Sequence, residues 1–389
     1  MEKEHNYRIS RKRGLTMSKT LLQVGVIGTG PWAQWAHLPS YEQCRETEVV
    51  AICDRNPDRL QEAASKFKIT NTYSDPYELI NNPEIDLFDI STSTPSHFPL
   101  ALAVIETGKP ILCEKPIAMT YKDARILQEK AAARGVKTKV AFGLRYCAVP
   151  RLMKELIEAG FIGTPYHFNG YEQNSQFIDP MKSFRWNPSN NPEKIIPGSL
   201  EEYGSHLIDL AHWMLGDLKT VIGHMKNHIS ERKIRDQGNK VLPINIEDGC
   251  TWLGEFQNGA QATFQTSFIT IGNPSGVEIC VYGSKGALRG RVVFEFGIPE
   301  TLYAATPDKP EFTPIEIPNR LWVGDSATSE SYTVWNQLRF GKLIQSFVDD
   351  IIHDHQSEPN FQDGAKSQEV ATAVYLSHLE KRWINLPLS

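Results

Sequence analysis

One stretch near the start of the chain limits most strongly what the chain can fold into. Residues 21–27 (LLQVGVI) form a short apolar run rich in Val, and the glycine turn Gly28-Thr29-Gly30 follows at once. A second apolar run, Val49 to Cys53, ends in Asp54. This order predicts a strand, a glycine turn, a helix, a second strand and an acid, which together form the first unit of a dinucleotide-binding sheet.

The small residues of this turn have separate physical tasks. Gly28 permits the tight turn, Gly30 lets a pyrophosphate approach the backbone, and Ala33 allows close packing of helix on strand. The helix that begins at Pro31-Trp32 offers free N–H groups and a partial positive charge to the diphosphate. The alternative is a purely structural turn, because glycines are common between strands and helices.

The residues after the second strand bear on the choice of dinucleotide. Asp54 can accept hydrogen bonds from a ribose diol and would repel the 2′-phosphate of NADP. The neighbouring Arg55 could tolerate that phosphate. We therefore expect NAD as cofactor, with NADP as the alternative.

Strands and helices alternate as far as about residue 143, which predicts a parallel sheet covered by helices on both faces. Thr94-Pro95 and Glu114-Lys115 each follow a predicted strand of this sheet, as Asp54 does. Ligands of such sheets bind at the carboxyl ends of the strands. The common placement of these residues therefore predicts one binding cleft.

The pattern changes in the second half, where longer strands and the turn Asn258-Gly259 indicate antiparallel hairpins. The fold class is therefore α/β, with a Rossmann dinucleotide-binding domain and an α+β domain that has a mostly antiparallel open sheet. We expect a disordered tail over 1–20, the Rossmann domain over 21–143, and a substrate-binding and oligomerisation domain over 144–389.

Composition and charge argue against several function classes. The formal net charge is -5 with acids and bases interspersed, which disfavours nucleic acid as a partner. No apolar run approaches the length that spans a membrane, so we expect no membrane partner. The six cysteines are scattered without a C-x-x-C pair, which favours reduced thiols in the cytoplasm over disulfides or a zinc site.

Three features are candidates for chemistry. Lys115 ends a predicted strand, Arg145-Tyr146 lies where the chain crosses between domains, and Glu202 and His206 are four residues apart on one predicted helix. Each has a plain structural alternative: a solvated lysine, a half-buried histidine, or an ordinary pair on a helix face. Metal binding lacks an obvious third ligand, so no metal is expected.

The motifs taken together resemble the Gfo/Idh/MocA oxidoreductases, which include glucose-fructose oxidoreductase and inositol dehydrogenase. VGVIGTGPWA is similar to the dinucleotide loop of that family, and STSTPSHFPLALAVIETGKPILCEKPIA to its T-P-N-H segment followed by E-K-P. EYGSHLIDLAHWMLG resembles its D-x-G-x-H-x-I-D-L helix. The resemblance extends from Leu21 to Leu386.

This resemblance implies an NAD(P)-dependent oxidoreductase that transfers a hydride between a nicotinamide and a secondary alcohol or ketone of a sugar, cyclitol or related polyol. Lys115 takes the place of the family's lysine beside the nicotinamide, and His206 that of its general acid/base. Glu202 replaces the family's aspartate. We expect Glu202 to orient the His206 ring, whose pKa should lie near neutrality.

Further contacts follow from the same resemblance and from the position of the polar loops. Cofactor contacts are expected from Thr94, Pro95, His97, Glu114 and Lys115, and substrate contacts from Lys115, Arg145, Tyr146, Arg185, Trp186 and His206.

Two other functions remain open at this point: a non-catalytic protein that senses sugars and dinucleotides, and an NAD-dependent glycosidase. We also expect a homodimer or homotetramer. The second sheet carries more apolar residues than we expect one core to hold, which predicts an exposed sheet face: Trp252, Phe264, Phe268 and Val281.

Overall fold

The computed structural model describes residues 21–184, 197–235, 238–294, 299–322 and 332–388. Two large sheets organise these residues, one with six strands and one with nine. The predicted tail over 1–20 lies outside the described residues.

The first sheet is entirely parallel, with its strands in the order β3-β2-β1-β4-β5-β6. The order reverses between β1 and β4, where doubly wound sheets open a crevice for ligands. This arrangement confirms the predicted Rossmann fold. Its strands are β1 (Leu22–Ile27), β2 (Thr47–Cys53), β3 (Asn71–Tyr73), β4 (Leu87–Ile90), β5 (Ile111–Cys113) and β6 (Thr138–Val140).

Helices cover both faces of this sheet. A helix begins at Pro31 and passes through a π-helical turn, Ala33–His37, before it continues as α1. The N-terminus of α5 is capped by the Thr120 side chain, and α4 ends at Gly108, whose φ of 78° only glycine adopts readily. The helices are α1 (Leu38–Gln43), α2 (Pro57–Phe67), α3 (Pro76–Ile80), α4 (His97–Thr107) and α5 (Tyr121–Arg134).

The second sheet has the order β16-β15-β14-β13-β7-β12-β11-β8-β17 and is antiparallel except for the pair of β7 and β12. A separate two-stranded hairpin of β9 and β10 lies beside it. The strands are β7 (Pro165–Gln173), β8 (Leu218–Lys226), β9 (Glu231–Ile234), β10 (Lys240–Pro243), β11 (Gly249–Phe256), β12 (Gln261–Ser267), β13 (Gly276–Gly283), β14 (Ala287–Val293), β15 (Thr301–Thr306), β16 (Lys309–Ile315) and β17 (Ile384–Asn385).

Helices α6 (Ala148–Glu158) and α7 (Ser205–Leu215) share one apolar core with this sheet, and a π-helical turn, Leu200–Gly204, leads into α7. The four apolar residues that predicted an exposed sheet face lie on the covered side instead. Trp252 stacks on Phe264 with ring centroids 4.8 Å apart, and Phe268 and Val281 are equally buried. The prediction chose the wrong residues for that face, because alternation along β11, β12 and β13 points Trp252, Phe264 and Val281 into the core shared with the helices.

The last two helices, α8 (Tyr332–Ile352) and α9 (Phe361–Glu380), return to the first sheet. Phe340, Leu343 and Phe347 of α8 pack in the same cluster as β1. The domain boundary at residue 143 stays a prediction, because these late helices pack against elements on both sides of it. No helix in the described part of the chain is long and apolar enough to cross a membrane.

Arg145 and Tyr146 serve this packing, and their predicted substrate contacts stay predictions. The buried Arg145 guanidinium donates to both carboxylate oxygens of Asp209 on α7, and also to Glu358 and Asp363. The Tyr146 side chain packs in the cluster shared by β1 and α8. Carboxylates therefore hold the guanidinium, and apolar packing holds the tyrosine.

We expect the Arg145→Met substitution to lower the free energy of unfolding by about 3–5 kcal/mol, because it leaves the Asp209 carboxylate buried without its partner. Arg125→Met is the matched control, since Arg125 pairs with Glu129 on the exposed surface and should contribute about 0.5 kcal/mol or less. Urea unfolding of both variants measures the difference. Equal stability of the two variants would contradict this prediction.

Candidate active site

The carboxyl ends of the parallel strands form the floor of a cleft. Gly28 follows β1 with a φ of 101°, and a Cβ there would lie 2.4 Å from the Ser91 carbonyl oxygen. A Cβ on Gly30 would meet no atom within 4 Å. Gly28 is thus required by the protein's own packing, whereas Gly30 faces open space in front of the helix that begins at Pro31.

The Asp54 carboxylate is held at the end of β2. Its Oδ2 accepts hydrogen bonds from Thr29 N at 2.9 Å and from Thr29 Oγ1 at 3.1 Å, and its Oδ1 accepts one from Asn56 N at 2.8 Å. The carboxylate is therefore fixed beside the glycine turn. Oδ1 keeps acceptor capacity for a further hydroxyl, while Arg55 is exposed next to it.

Lys115 connects the two sheets across the cleft. It follows β5, and its Nζ donates a hydrogen bond of 2.8 Å to the backbone carbonyl oxygen of Glu202 in the π-helical turn before α7. The Glu202 carboxylate lies 3.7 Å from the same Nζ. The Lys115 side chain is 12% exposed, so its charge acts in a site with little water.

His206 lies one helical turn beyond Glu202 and is half-buried beside the Phe142 ring. Its Nδ1 is buried and has no hydrogen-bond partner among the described residues. Burial lowers the pKa of His206 well below its usual value, and the charges of Lys115 and Arg339 lower it further. The ring is therefore neutral at pH 7 and can accept a proton.

The expectation of a near-neutral pKa for this histidine was wrong, because burial lowers that pKa well below its usual value. Glu202 does not bind Nδ1 of the ring, and its expected role in orienting the ring stays a prediction. The reason is local: Leu200–Gly204 is a π-helical turn, in which residues four apart do not align as they do in an α-helix. Glu202 faces Lys115 instead.

Sequence reasoning missed Glu172, a buried carboxyl group whose charge interacts with those of Lys115 and Glu202. Glu172 is 2% exposed on β7, and its Oε2 has no hydrogen-bond partner in the part of the chain that the structure describes. Burial raises its pKa well above the usual value, although Lys115 opposes the shift. The signal was available, since alternation along β7 places Glu172 on the same face as the core residue Phe168.

His97 and Glu114, which were predicted to contact the cofactor, are occupied within the protein. The buried His97 ring lies 2.7 Å from the Pro116 carbonyl oxygen and 3.1 Å from that of Thr92. The Glu114 carboxylate accepts hydrogen bonds from the Trp32 indole and from the Lys115 backbone N–H. Both residues hold the strand ends in place, and their predicted contacts with the cofactor stay predictions.

A second residue that sequence reasoning missed is His37, which lies between two carboxylates. Its Nδ1 is 2.8 Å from Asp89 Oδ2, and its Nε2 is 3.0 Å from Glu114 Oε1. A histidine in the mostly apolar run of the first helix was the available signal. Thr94 and Pro95 form a short turn after β4 at the cleft, with Pro95 exposed.

The cleft fits a dinucleotide. The open space at Gly30, the helix start beside it and the fixed carboxylate of Asp54 provide room, N–H donors and a hydroxyl acceptor in the expected order. The described residues contain no group of three or more His, Cys, Asp or Glu side chains that could hold a metal ion. Arg185 and Trp186, two of the predicted substrate contacts, lie outside the described residues.

Comparisons with known proteins agree with this geometry. Residues 22–142 match the model described as "Oxidoreductase family, NAD-binding Rossmann fold", and residues 154–386 match its C-terminal alpha/beta domain. Levoglucosan dehydrogenase of Pseudarthrobacter phenanthrenivorans is 25% identical over 86% of this chain and 89% of its own. Inositol 2-dehydrogenase of Salmonella typhimurium is 30% identical over 53% of this chain and 57% of its own.

Among solved structures, that of levoglucosan dehydrogenase in complex with NADH and levoglucosan has a TM-score of 0.83 at 23% identity. It covers 95% of this chain and all of its own, which shows a shared fold. The two family matches together cover both sheets. The chain therefore belongs to the Gfo/Idh/MocA oxidoreductase family and carries that family's NAD-binding Rossmann fold over residues 22–142.

Proposed function

We propose that this protein is an NAD-dependent dehydrogenase that acts on a secondary alcohol or ketone of a sugar, cyclitol or related polyol. One observation carries the proposal: a lysine ammonium from the first sheet binds the turn that leads into the helix of a neutral histidine. Lys115 binds the carbonyl of Glu202, one turn before His206, and its charge contributes to the lowered pKa of that histidine.

The residues of the cleft have separate roles in the proton transfer. When bound, a nicotinamide cofactor supplies the acceptor or donor of the hydride. In the oxidation direction, neutral His206 accepts the hydroxyl proton, and the Lys115 ammonium stabilises the negative charge that develops on the oxygen. The Glu172 carboxyl, whose pKa is raised by burial, can donate a hydrogen bond to a neighbouring substrate hydroxyl when it is protonated. In the reverse direction, His206 returns the proton.

The relatives support the substrate class, because the curated names include levoglucosan dehydrogenase, D-glucoside 3-dehydrogenase and inositol 2-dehydrogenase. The substrates in those names are all rings that carry several hydroxyl groups. A screen of sugars, cyclitols and polyols with NAD and NADP, followed by nicotinamide absorbance, tests the proposal. A sugar sensor would bind without turnover, and an NAD-dependent glycosidase would release sugar without net change of the cofactor.

We further propose a homodimer or homotetramer in the cytoplasm. The outer face of the nine-stranded sheet supports the first part, since alternate residues of β11 and β12 are exposed there, among them Leu253 at 45%. The six cysteines support the second, because all are free and buried.

The first test of the mechanism removes the two proposed catalytic groups. We expect Lys115→Met to lower kcat roughly a hundredfold and His206→Asn roughly a hundredfold or more, which are the usual effects of losing a charge stabiliser and a general base. Glu202→Gln is the matched control, because Lys115 binds the Glu202 backbone carbonyl, which this change retains. A loss of kcat in Glu202→Gln as large as in Lys115→Met would contradict this assignment.

The pH profile tests His206 by a second route. The base form is lost as the pH falls through the pKa of His206, and that pKa is well below 6.5. Activity in the oxidation direction should therefore stay level as the pH is lowered through 6.5 and decline only beyond it. A decline of kcat/KM centred at 6.5 would contradict the lowered pKa of His206.

The glycine turn provides a test of cofactor binding. Gly30→Ala should leave the melting temperature unchanged, since its Cβ meets no protein atom, yet weaken NADH binding at least about tenfold by occupying the space of the diphosphate. Gly28→Ala should instead lower the melting temperature, because its Cβ would overlap the Ser91 carbonyl. Titration by fluorescence and thermal melting measure the two effects. Unchanged NADH affinity in Gly30→Ala would place the diphosphate elsewhere.

The choice between NAD and NADP depends on Asp54. We expect NAD to bind more tightly than NADP. Asp54→Asn should reduce the ratio of the two dissociation constants by about tenfold, since it removes the charge that repels a 2′-phosphate. Thr29→Val is the control, because it removes only one internal hydrogen bond to the same carboxylate. Tighter binding of NADP by the unmodified protein would contradict the expectation.

A further inference from the structure

A buried chain of charged groups leads from the first helix to the backbone of Lys115. His37 is fully buried in the π-helical turn Ala33–His37. Its Nδ1 lies 2.8 Å from Asp89 Oδ2, and its Nε2 lies 3.0 Å from Glu114 Oε1. Asp89 lies on β4, and Glu114 follows β5. One ring thus connects the dinucleotide-binding helix to the carboxyl ends of two adjacent strands.

The contacts require two N–H donors on this ring if both carboxylates are ionised. Burial alone would lower the pKa of His37, but Asp89 and Glu114 raise it to about 10. The pKa of Glu114 is lowered by His37 in spite of its own burial. The cluster is therefore an imidazolium between two carboxylates, and charge-assisted hydrogen bonds of this kind are short and directional.

Glu114 binds groups on both sides of the cleft. Its Oε1 also accepts the Trp32 indole N–H at 2.7 Å, and its Oε2 accepts the Lys115 backbone N–H at 3.0 Å. Trp32 stands at the start of the dinucleotide-binding helix. The same carboxylate therefore fixes a side chain of the cofactor loop and the peptide group that carries the proposed catalytic lysine.

We propose that His37 is a positioning residue: through Glu114 it sets the place of Lys115 relative to the dinucleotide loop. This inference rests on the proposed function for its effect on turnover. The π-helical turn contributes to this positioning, because it adds a residue to the first helix and so changes the direction in which His37 projects. Phe340 of α8 packs on the His37 ring, with centroids 4.7 Å apart, and limits its rotation.

The test must separate positioning from stability. His37→Gln removes the cation and leaves two buried carboxylates facing each other, so it should lower both the melting temperature and kcat. The double variant His37→Gln/Asp89→Asn restores the net charge of the cluster, which is one negative charge in the unmodified protein. We expect the double variant to recover most of the melting temperature, while kcat stays about tenfold to a hundredfold low and KM changes less than about threefold.

A matched control comes from another fully buried ion pair. Lys139 on β6 and Asp350 on α8 lie 2.8 Å apart, and neither side chain is exposed. Lys139→Met should lower the melting temperature as His37→Gln does, with kcat of the folded protein unchanged. Equal losses of kcat in the two variants would reduce His37 to a structural residue.

A second readout does not depend on turnover. Reductive methylation with ¹³C-formaldehyde places an NMR probe on Lys115, and the Lys115→Arg variant identifies its signal. Without cofactor or substrate, this signal should shift in His37→Gln and in the double variant, and should not shift in Lys139→Met. If the unmodified protein turns over no polyol, the proposed function fails while this signal still decides the role of His37. An unshifted signal, or recovery of kcat in the double variant, would overturn the inference.

Discussion

The hydrogen bond from Lys115 Nζ to the Glu202 carbonyl joins the two halves of the cleft, and the remaining groups are arranged around it. The lysine comes from the end of a parallel strand, and the carbonyl comes from the helix that covers the second sheet. The lysine charge helps to keep His206 neutral and opposes the raised pKa of Glu172. The same ammonium group therefore acts on the proton acceptor His206, on the hydrogen-bond donor Glu172 and on the reacting oxygen of the proposed substrate.

Much of the first domain could be predicted because its signals are local. The glycine turn, the acid after β2 and the alternation of short strands and helices are each encoded within a few residues, and the strand order confirms them. The hairpin at Asn258-Gly259 was equally local, and β11 and β12 flank it as expected. Lys115 was placed at a strand end by the same reasoning.

The other features of the site and the core depend on the type of helix and on partners that are distant in sequence. A π-helical turn cannot be read from residue spacing, so the position of the Glu202 carboxylate beside Lys115 was not predicted. The role of Arg145 could not be predicted, because its carboxylate partners are 64 to 218 residues away in sequence. The direction of a strand's apolar face also depends on which helices cover it, and for this reason Trp252 and Phe264 were assigned to the wrong side.

The long final helix has a mechanical consequence for the protein as a whole. Phe361 and Ala365 at the start of α9 pack into the core of the first sheet, whereas Val370, Ala371 and Val374 of the same helix pack into the core of the second. A continuous helix transmits force along its axis, so the two cores share one stiff element. A movement that widened the cleft would have to pull side chains of α9 out of one core or bend the helix. The spacing between the dinucleotide loop and the substrate side is therefore built into the folded chain before any ligand arrives.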